Sequence, residues 1–251
     1  MSISIITPTR DRQEQLSLVI ECVNKQILKP DEWIIVDDGK KPIDKKILEK
    51  IQVPYKYIYY KSGLSKSICM NSAKALQAAS GDKIIFFDDD DYYPPKYIEN
   101  FSKLLKNENE MIGNIVWTDY RLSTGYYRIR VKSSKQIQKG DTMMEWHSSG
   151  IMGNDLKKLM IEVLTKNKTN GYNDCVCFNN IFKRGVFKCR PCDFMEWGAI
   201  SLKDYGVGNK GTIKAHFSNE DLIRDDDNFS FFKKSLGEDW KRYEKYLGRL
   251  R

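Results

Sequence analysis

The sequence predicts an α/β fold: a mostly parallel, Rossmann-like central sheet flanked by helices, with a smaller mixed region after it. Three observations carry that expectation. Short apolar runs alternate with helix-like segments through residues 1–120, a pattern that implies right-handed βαβ units. Polar clusters close three of the runs, at Thr9 to Arg12, Asp37-Asp38 and Asp88 to Asp91. In a parallel sheet such ends share one edge, where open α/β sheets bind their ligands. No repeat or linker divides the 251 residues, a length sufficient for one large core.

The elements follow in order. Ser2 to Thr7 reads as a strand closed by Pro8, and Gln13 to Gln26 carries Leu16, Val19, Ile20 and Val23 at helical spacing. Pro30 breaks that helix. Glu32 to Asp37 is a second buried strand, Ile43 to Ile51 a short helix, and Tyr55 to Tyr60 a third strand. A helix over Leu64 to Ala79 is stopped by Gly81, and the apolar run Ile84 to Phe87 is the fourth strand. Pro95 opens a helix that runs to Leu105. Strands follow at Ile112 to Asp119 and Tyr126 to Val131. The polar stretch Ser133 to Asn173 holds one helix, Leu156 to Thr165. Cys175 to Phe182 reads as a strand, Glu196 to Tyr205 as a helix and Gly211 to Phe217 as a strand. An amphipathic helix over Phe229 to Leu247 ends the pattern.

Composition narrows the class. Hydrophobic residues at 41% and charged residues at 30% describe a globular, ordered chain. No apolar run nears the ~20 residues of a membrane-spanning helix. The start, Met1-Ser-Ile-Ser-Ile-Ile-Thr-Pro8, has no basic region and no small-residue cleavage site, which points to the cytoplasm. The six cysteines fit free buried thiols there. Cys175-x-Cys177 and Cys189-x-x-Cys192 leave a structural zinc open, although Cys-x-Cys is not the usual ligand spacing. A net charge of +8 suits a polyanionic partner: nucleic acid, anionic lipid or a phosphate-bearing substrate. The densest basic segment is Lys233 to Arg251.

Asp88 to Asp91 are the residues that carry chemistry. Four adjacent carboxylates repel one another unless a cation neutralises them. An exposed acidic turn would explain them equally, were it not that the other polar strand ends converge on the same edge. That convergence favours a divalent-metal site of hard oxygen ligands.

Ile5-Ile-Thr-Pro-Thr-Arg-Asp-Arg12, Ile34-Ile-Val-Asp-Asp-Gly39 and Phe87-Asp-Asp-Asp-Asp91 with Pro95 together resemble family 2 glycosyltransferases, nucleotide-sugar-dependent enzymes of the GT-A fold. The resemblance implies a metal-dependent, inverting transfer of a hexosyl or pentosyl group from a nucleoside diphosphate sugar, UDP-sugar first among them. Residues 1–120 would then bind the donor and residues 121–251 the acceptor. Asp90 would bind Mn²⁺ or Mg²⁺ directly, with Asp88 beside it near the donor ribose. Asp89 is the middle, interchangeable position of this donor-side run, and Asp91 a supporting or acceptor-side contact. Asp38 would meet the nucleobase, and Pro8, Thr9 and Arg10 would line base and ribose. Arg12 would reach the pyrophosphate or else cap the following helix.

Ser65 lies in Gly63-Leu-Ser-Lys-Ser-Ile-Cys-Met-Asn71, a stretch similar to one in the family. Met70 stands there where an arginine is often found, so Lys66 or Lys74 could supply the charge. Glu196 would be the general base, with Asp193 as runner-up; helix-dipole placement in a first turn is the plain alternative. His216 would face the metal or the pyrophosphate, and His147 the acceptor. The acceptor implied is a saccharide or lipid-linked glycan, with the basic C-terminal helix on an anionic membrane surface. The alternative acceptor is a hydroxymethylated DNA base, as for some phage enzymes. A nucleotidyltransferase or a non-catalytic nucleotide-sugar binder is the reading from another class.

Overall fold

The computed structural model describes residues 1–63, 68–114, 116–131, 149–167, 188–192, 199–203 and 222–248. The first half builds β1 (Ile3–Thr9), α1 (Gln13–Asn24), β2 (Glu32–Asp37), α2 (Lys45–Leu48), β3 (Tyr55–Tyr59), α3 (Ile68–Ala78), β4 (Lys83–Phe86) and α4 (Tyr97–Leu104). Then come β5 (Glu110–Asn114), β6 (Val116–Arg121), β7 (Tyr126–Val131), β8 (Ser149–Met152) and α5 (Asn154–Lys166). Strands β9 (Lys188–Cys192), β10 (Ile200–Lys203) and β11 (Ile223–Arg224) precede α6 (Ser230–Leu236) and a 3₁₀ segment, Gly237–Tyr246. Among the described residues no helix is long and apolar enough to cross a membrane.

Seven strands form the large sheet in the order β3-β2-β1-β4-β8-β5-β9. Strands β1 to β4 pair in parallel, β8 runs antiparallel to both its neighbours, and β9 pairs in parallel with β5. Because both faces are covered, β2 is apolar from Trp33 to Val36 rather than alternating. Ile34 and Val36 enter a cluster with Leu76 of α3 and Leu156 and Met160 of α5. Trp33 and Ile35 enter the opposite cluster with Val19 and Val23 of α1 and Phe101 of α4. Inside that second layer, Trp33 donates its indole N–H to Thr7 Oγ1 at 2.9 Å, which satisfies the one polar atom of a fully buried ring.

A smaller sheet, β10-β6-β7-β11, stands beside the first. It attaches just after the acid run, where Tyr92 and Ile200 exchange both backbone hydrogen bonds at 3.0 Å.

Several elements differ from the sequence expectation. The single strand expected over Ile112 to Asp119 is two strands in different sheets, β5 in the large one and β6 in the small one. Its side-chain pattern cannot show that the chain changes partners midway. The helix expected over Glu196 to Tyr205 is a strand across Ile200–Lys203, the rest lying outside the described residues. There β6 and Tyr92 supply hydrogen-bond partners on either side of a four-residue segment, and pairing decides over local helix propensity. Strand β8 falls in a stretch read as polar and irregular. The C-terminal helix expected over Phe229 to Leu247 breaks at Gly237, whose φ of 56° lies in the left-handed region.

Strand β1 also runs beyond Pro8 to Thr9. Pairing with β4 stops at Ile6↔Phe86, so the missing proline N–H leaves no gap on that side.

Candidate active site

The order β3-β2-β1-β4 places the topological switch point between β1 and β4, and the acid run leaves β4 there. An aromatic pillar holds the turn from beneath. Tyr93 stacks on Phe87 at 4.0 Å between ring centres and meets Tyr97 edge-on at 5.0 Å. Its hydroxyl accepts the N–H of Asp88 at 2.5 Å. From the side, Gln26 Nε2 donates to Pro94 O at 2.9 Å, and Ile98 N–H donates to Gln26 Oε1 at 3.0 Å. The end of α1, the acid turn and the start of α4 are thereby fixed to one another.

Each carboxylate has different surroundings. Asp89 accepts from Thr9 Oγ1 at 2.6 Å and from Arg12 Nη1 at 2.7 Å, and the same Nη1 donates to Asp90 Oδ2 at 2.8 Å. Asp91 is 1% exposed; its Oδ1 accepts the Leu202 N–H at 3.1 Å and lies 3.8 Å from Lys203 Nζ. Asp88, Asp90 and Asp91 each bring a carboxylate oxygen to within 4.8 Å of the others. Asp88 Oδ1 is buried and has no hydrogen-bond partner among the described residues.

Burial and mutual repulsion shift these groups. Burial, then the charges of Asp91, Asp90 and Asp89, hold the Asp88 carboxyl well above the usual range. Burial pushes Asp89 up to about 6 against the opposing pull of Arg12, and Asp91 up to about 7 against Lys203. Lys203 is also shifted up: burial opposes its charge, but Asp90, Asp91, Asp119 and Asp88 together raise it above the usual lysine range.

A divalent cation fits this set. The donors are hard carboxylate oxygens of the kind Mg²⁺ and Mn²⁺ take. They are close enough to share one ion, and one oxygen, Asp88 Oδ1, has no hydrogen-bond partner among the described residues.

The second polar strand end forms a pocket of its own. Asp38, its carboxylate fully buried, accepts from Ser62 Oγ at 2.6 Å and Asn71 Nδ2 at 2.8 Å, with Arg10 Nη1 at 3.7 Å. Asn71 Nδ2 also donates to Thr9 O, and Tyr60 donates its hydroxyl proton to Asn71 Oδ1 at 2.8 Å. Burial pushes the Tyr60 hydroxyl up to about 12. Lys74 lies over the Tyr60 ring at 4.5 Å rather than beside the acids. Gly39 is required where the β1–α1 and β2–α2 loops meet, since a Cβ there would come within 2.9 Å of the Asp11 backbone N.

Thus Thr9, Arg10, Arg12, Asp38, Asp88, Asp89 and Asp90 gather at one edge, with Pro8 buried in β1 behind them. As for helix capping, α1 starts after Arg12 without a side-chain cap: a guanidinium has no acceptor to offer the free N–H groups, and this one is bonded to the acids. Ser65, Lys66, His147, Asp193, Glu196 and His216 lie outside the described residues, as do Cys175 and Cys177; Cys189 and Cys192 belong to β9. Sequence reasoning missed Lys203, Tyr93 and Ser62. Asn71 stood in a recognised stretch without an assigned role, and its signal was the spacing from Gly63.

Comparison with known proteins agrees with this arrangement. The model of glycosyl transferase family 2 matches residues 4–190. No curated protein matches the sequence. Among solved structures, TarS of S. aureus is similar with a TM-score of 0.54 and 14% identity, over 80% of this chain and 37% of that one. A TarS structure limited to its residues 1–349 gives 0.53 and 14%, over 80% of this chain and 60% of that one. Glucosyl-3-phosphoglycerate synthase from Mycobacterium tuberculosis, solved with Mn²⁺, uridine diphosphate and phosphoglyceric acid, gives 0.49 and 13% over 76% and 68%. The chain therefore spans less than two thirds of either TarS chain it matches. With three quarters of its length covered by the family model, and its switch-point acids set in a mostly parallel sheet, the chain belongs to glycosyl transferase family 2.

Proposed function

We propose that this chain is a metal-dependent, inverting glycosyltransferase that moves a sugar from a nucleoside diphosphate sugar to an acceptor hydroxyl. The observation that carries this reading is the convergence of Asp88, Asp90 and Asp91 at the carboxyl end of β4, beside the buried Asp38 pocket at the end of β2. Residues 1–120 would hold the donor. Asp38, held in place by Ser62 and Asn71, would supply a fixed acceptor for a nucleobase, while Thr9 and Arg10 border the space between it and the acids. A bound Mg²⁺ or Mn²⁺ would be held by Asp88, Asp90 and Asp91, and would supply Lewis-acid stabilisation of charge on the departing diphosphate.

Residues 121–251 would face the acceptor, with Glu196 as general base and His216 near the pyrophosphate. Glu196 takes the proton of the acceptor hydroxyl, and that oxygen forms the new bond to the anomeric carbon. The bond from that carbon to the phosphate oxygen breaks, and its electron pair leaves with the diphosphate. Attack from the face opposite the leaving group inverts the centre.

A saccharide or lipid-linked glycan is the acceptor of the leading reading, with contact to an anionic membrane surface. A hydroxymethylated DNA base is the alternative, and a steep loss of transfer with salt on a DNA acceptor would select it. The decisive experiment on the chemistry is Glu196→Gln. Transfer of labelled sugar should fall by about 10²- to 10⁴-fold while donor binding persists. Unchanged transfer removes Glu196 as the base, and Asp193→Asn is then the next variant.

A further inference from the structure

Strand β10 brings to the acid run a group that no recognised motif contains. Leu202 donates its N–H to Asp91 Oδ1, and the ammonium of the next residue, Lys203, lies 3.8 Å from the same oxygen. Arg12 holds the opposite flank through Asp89 and Asp90. The two cations differ in kind. A planar guanidinium bonded to two carboxylates at once is a fixed clamp. A lysine ammonium is a point charge on a flexible stem, and at 3.8 Å from Asp91 Oδ1 it makes an ion pair without a direct hydrogen bond there, so it can be redirected at smaller cost.

Charge balance says where it would go. Four carboxylates against two cations leave the run with a formal charge of two negatives, which one divalent ion cancels. Once that ion is bound, Asp91 no longer attracts the ammonium, and the next anion to arrive at the same place is the diphosphate of the donor. Asp119, the other acid near Lys203, is already paired with Arg128 Nε at 2.8 Å.

Resting on the donor reading above, we propose that Lys203 leaves Asp91 when cation and donor bind and pairs with the diphosphate. It would then face the charge left on the phosphate oxygen when the bond to the anomeric carbon breaks. Lys203 is thus a second cationic contact for the leaving group, delivered by the small sheet rather than by the nucleotide-binding edge.

The test is calorimetric titration of UDP and of uridine, each with Mn²⁺ present, into the wild type, Lys203→Met and Lys203→Arg. Lys203→Met should weaken UDP by about tenfold or more and leave uridine unchanged, the loss of one charge-assisted contact. Lys203→Arg should recover most of that loss. Mn²⁺ alone should bind Lys203→Met at least as tightly as wild type, because a competing cation is gone. An unchanged ratio of UDP to uridine affinity overturns the proposal, and so does an equal fall in both, which is what a purely structural ion pair produces.

If the wild type binds another nucleoside diphosphate in place of UDP, the same titrations use that diphosphate and its nucleoside; a wild type that binds none with Mn²⁺ present contradicts the donor reading itself, a failure distinct from that of Lys203. Should Lys203→Met not fold, acetylation of the folded wild type read by mass spectrometry decides. UDP with Mn²⁺ must protect Lys203 more than Mn²⁺ alone, and equal labelling refutes the contact.

Discussion

Asp88 to Asp91 are neighbours in sequence but are held by different parts of the fold. Thr9 and Arg12 fix Asp89, the Leu202 N–H fixes Asp91 with Lys203 beside it, and Asp88 donates its backbone N–H to the Tyr93 hydroxyl. Their raised carboxyls make a pH prediction for the metal-free chain. An unfolded aspartate titrates near 3.9, so between about pH 4 and pH 7 the folded state keeps protons on Asp89 and Asp91 that the unfolded state has lost. Stability conferred by these groups therefore falls as pH rises through that window. In EDTA the melting temperature of wild type should drop from about pH 4.5 to about pH 7.5, across most of that window, relative to Asp91→Asn. Mn²⁺ should restore it at the higher pH and do little at the lower. A cation-induced shift of the same size at both values would contradict this assignment. The acids were legible in the sequence because they are contiguous. The groups that tune them were not, since Asp91 and Leu202 stand 111 residues apart and Asp38 and Asn71 stand 33 apart.

At the scale of elements, the small sheet is tied to α6 through Asp225. This carboxylate accepts the Tyr120 hydroxyl at 2.9 Å and the N–H groups of Phe231 and Phe232 at 3.0 Å, which caps α6 and ties it to β6. Stacking of Tyr127 on Phe231, 3.8 Å between ring centres, completes the joint. Asp225→Ala removes the acceptor and leaves buried donors unpaired, so unfolding free energy should fall by about 2–3 kcal/mol, read from the urea midpoint. A change below about 0.5 kcal/mol would mean that the stacked rings alone hold the joint. Elements with long apolar periodicity, such as α1 and β2, were readable because burial on a fixed face writes itself into the sequence. β10 was not, because four residues carry too little pattern and its partners, β6 and Tyr92, are distant. The C-terminal segment was misread as one helix although Gly237 marks the break. Its basic residues are largely paired within the chain, Arg242 with Asp239 and Glu21 and Lys245 with Glu14.

Across the whole molecule, the net charge of +8 coexists with a pocket of concentrated negative charge. On the proposed reading such a site would draw a dication first and a nucleotide second, since the bare acids repel a diphosphate. The parallel edge was readable from strand ends alone; the return of β8 and β9 into the large sheet, from residues 149–152 and 188–192, was not. The most direct test of the account is calorimetry of UDP and other nucleoside diphosphates against wild type and Asp90→Asn, in Mn²⁺ and in EDTA. Wild type should bind one of them in Mn²⁺ and lose at least about tenfold in EDTA, with Asp90→Asn weak in both. Equal affinity in Mn²⁺ and EDTA, unaltered by Asp90→Asn, would contradict it.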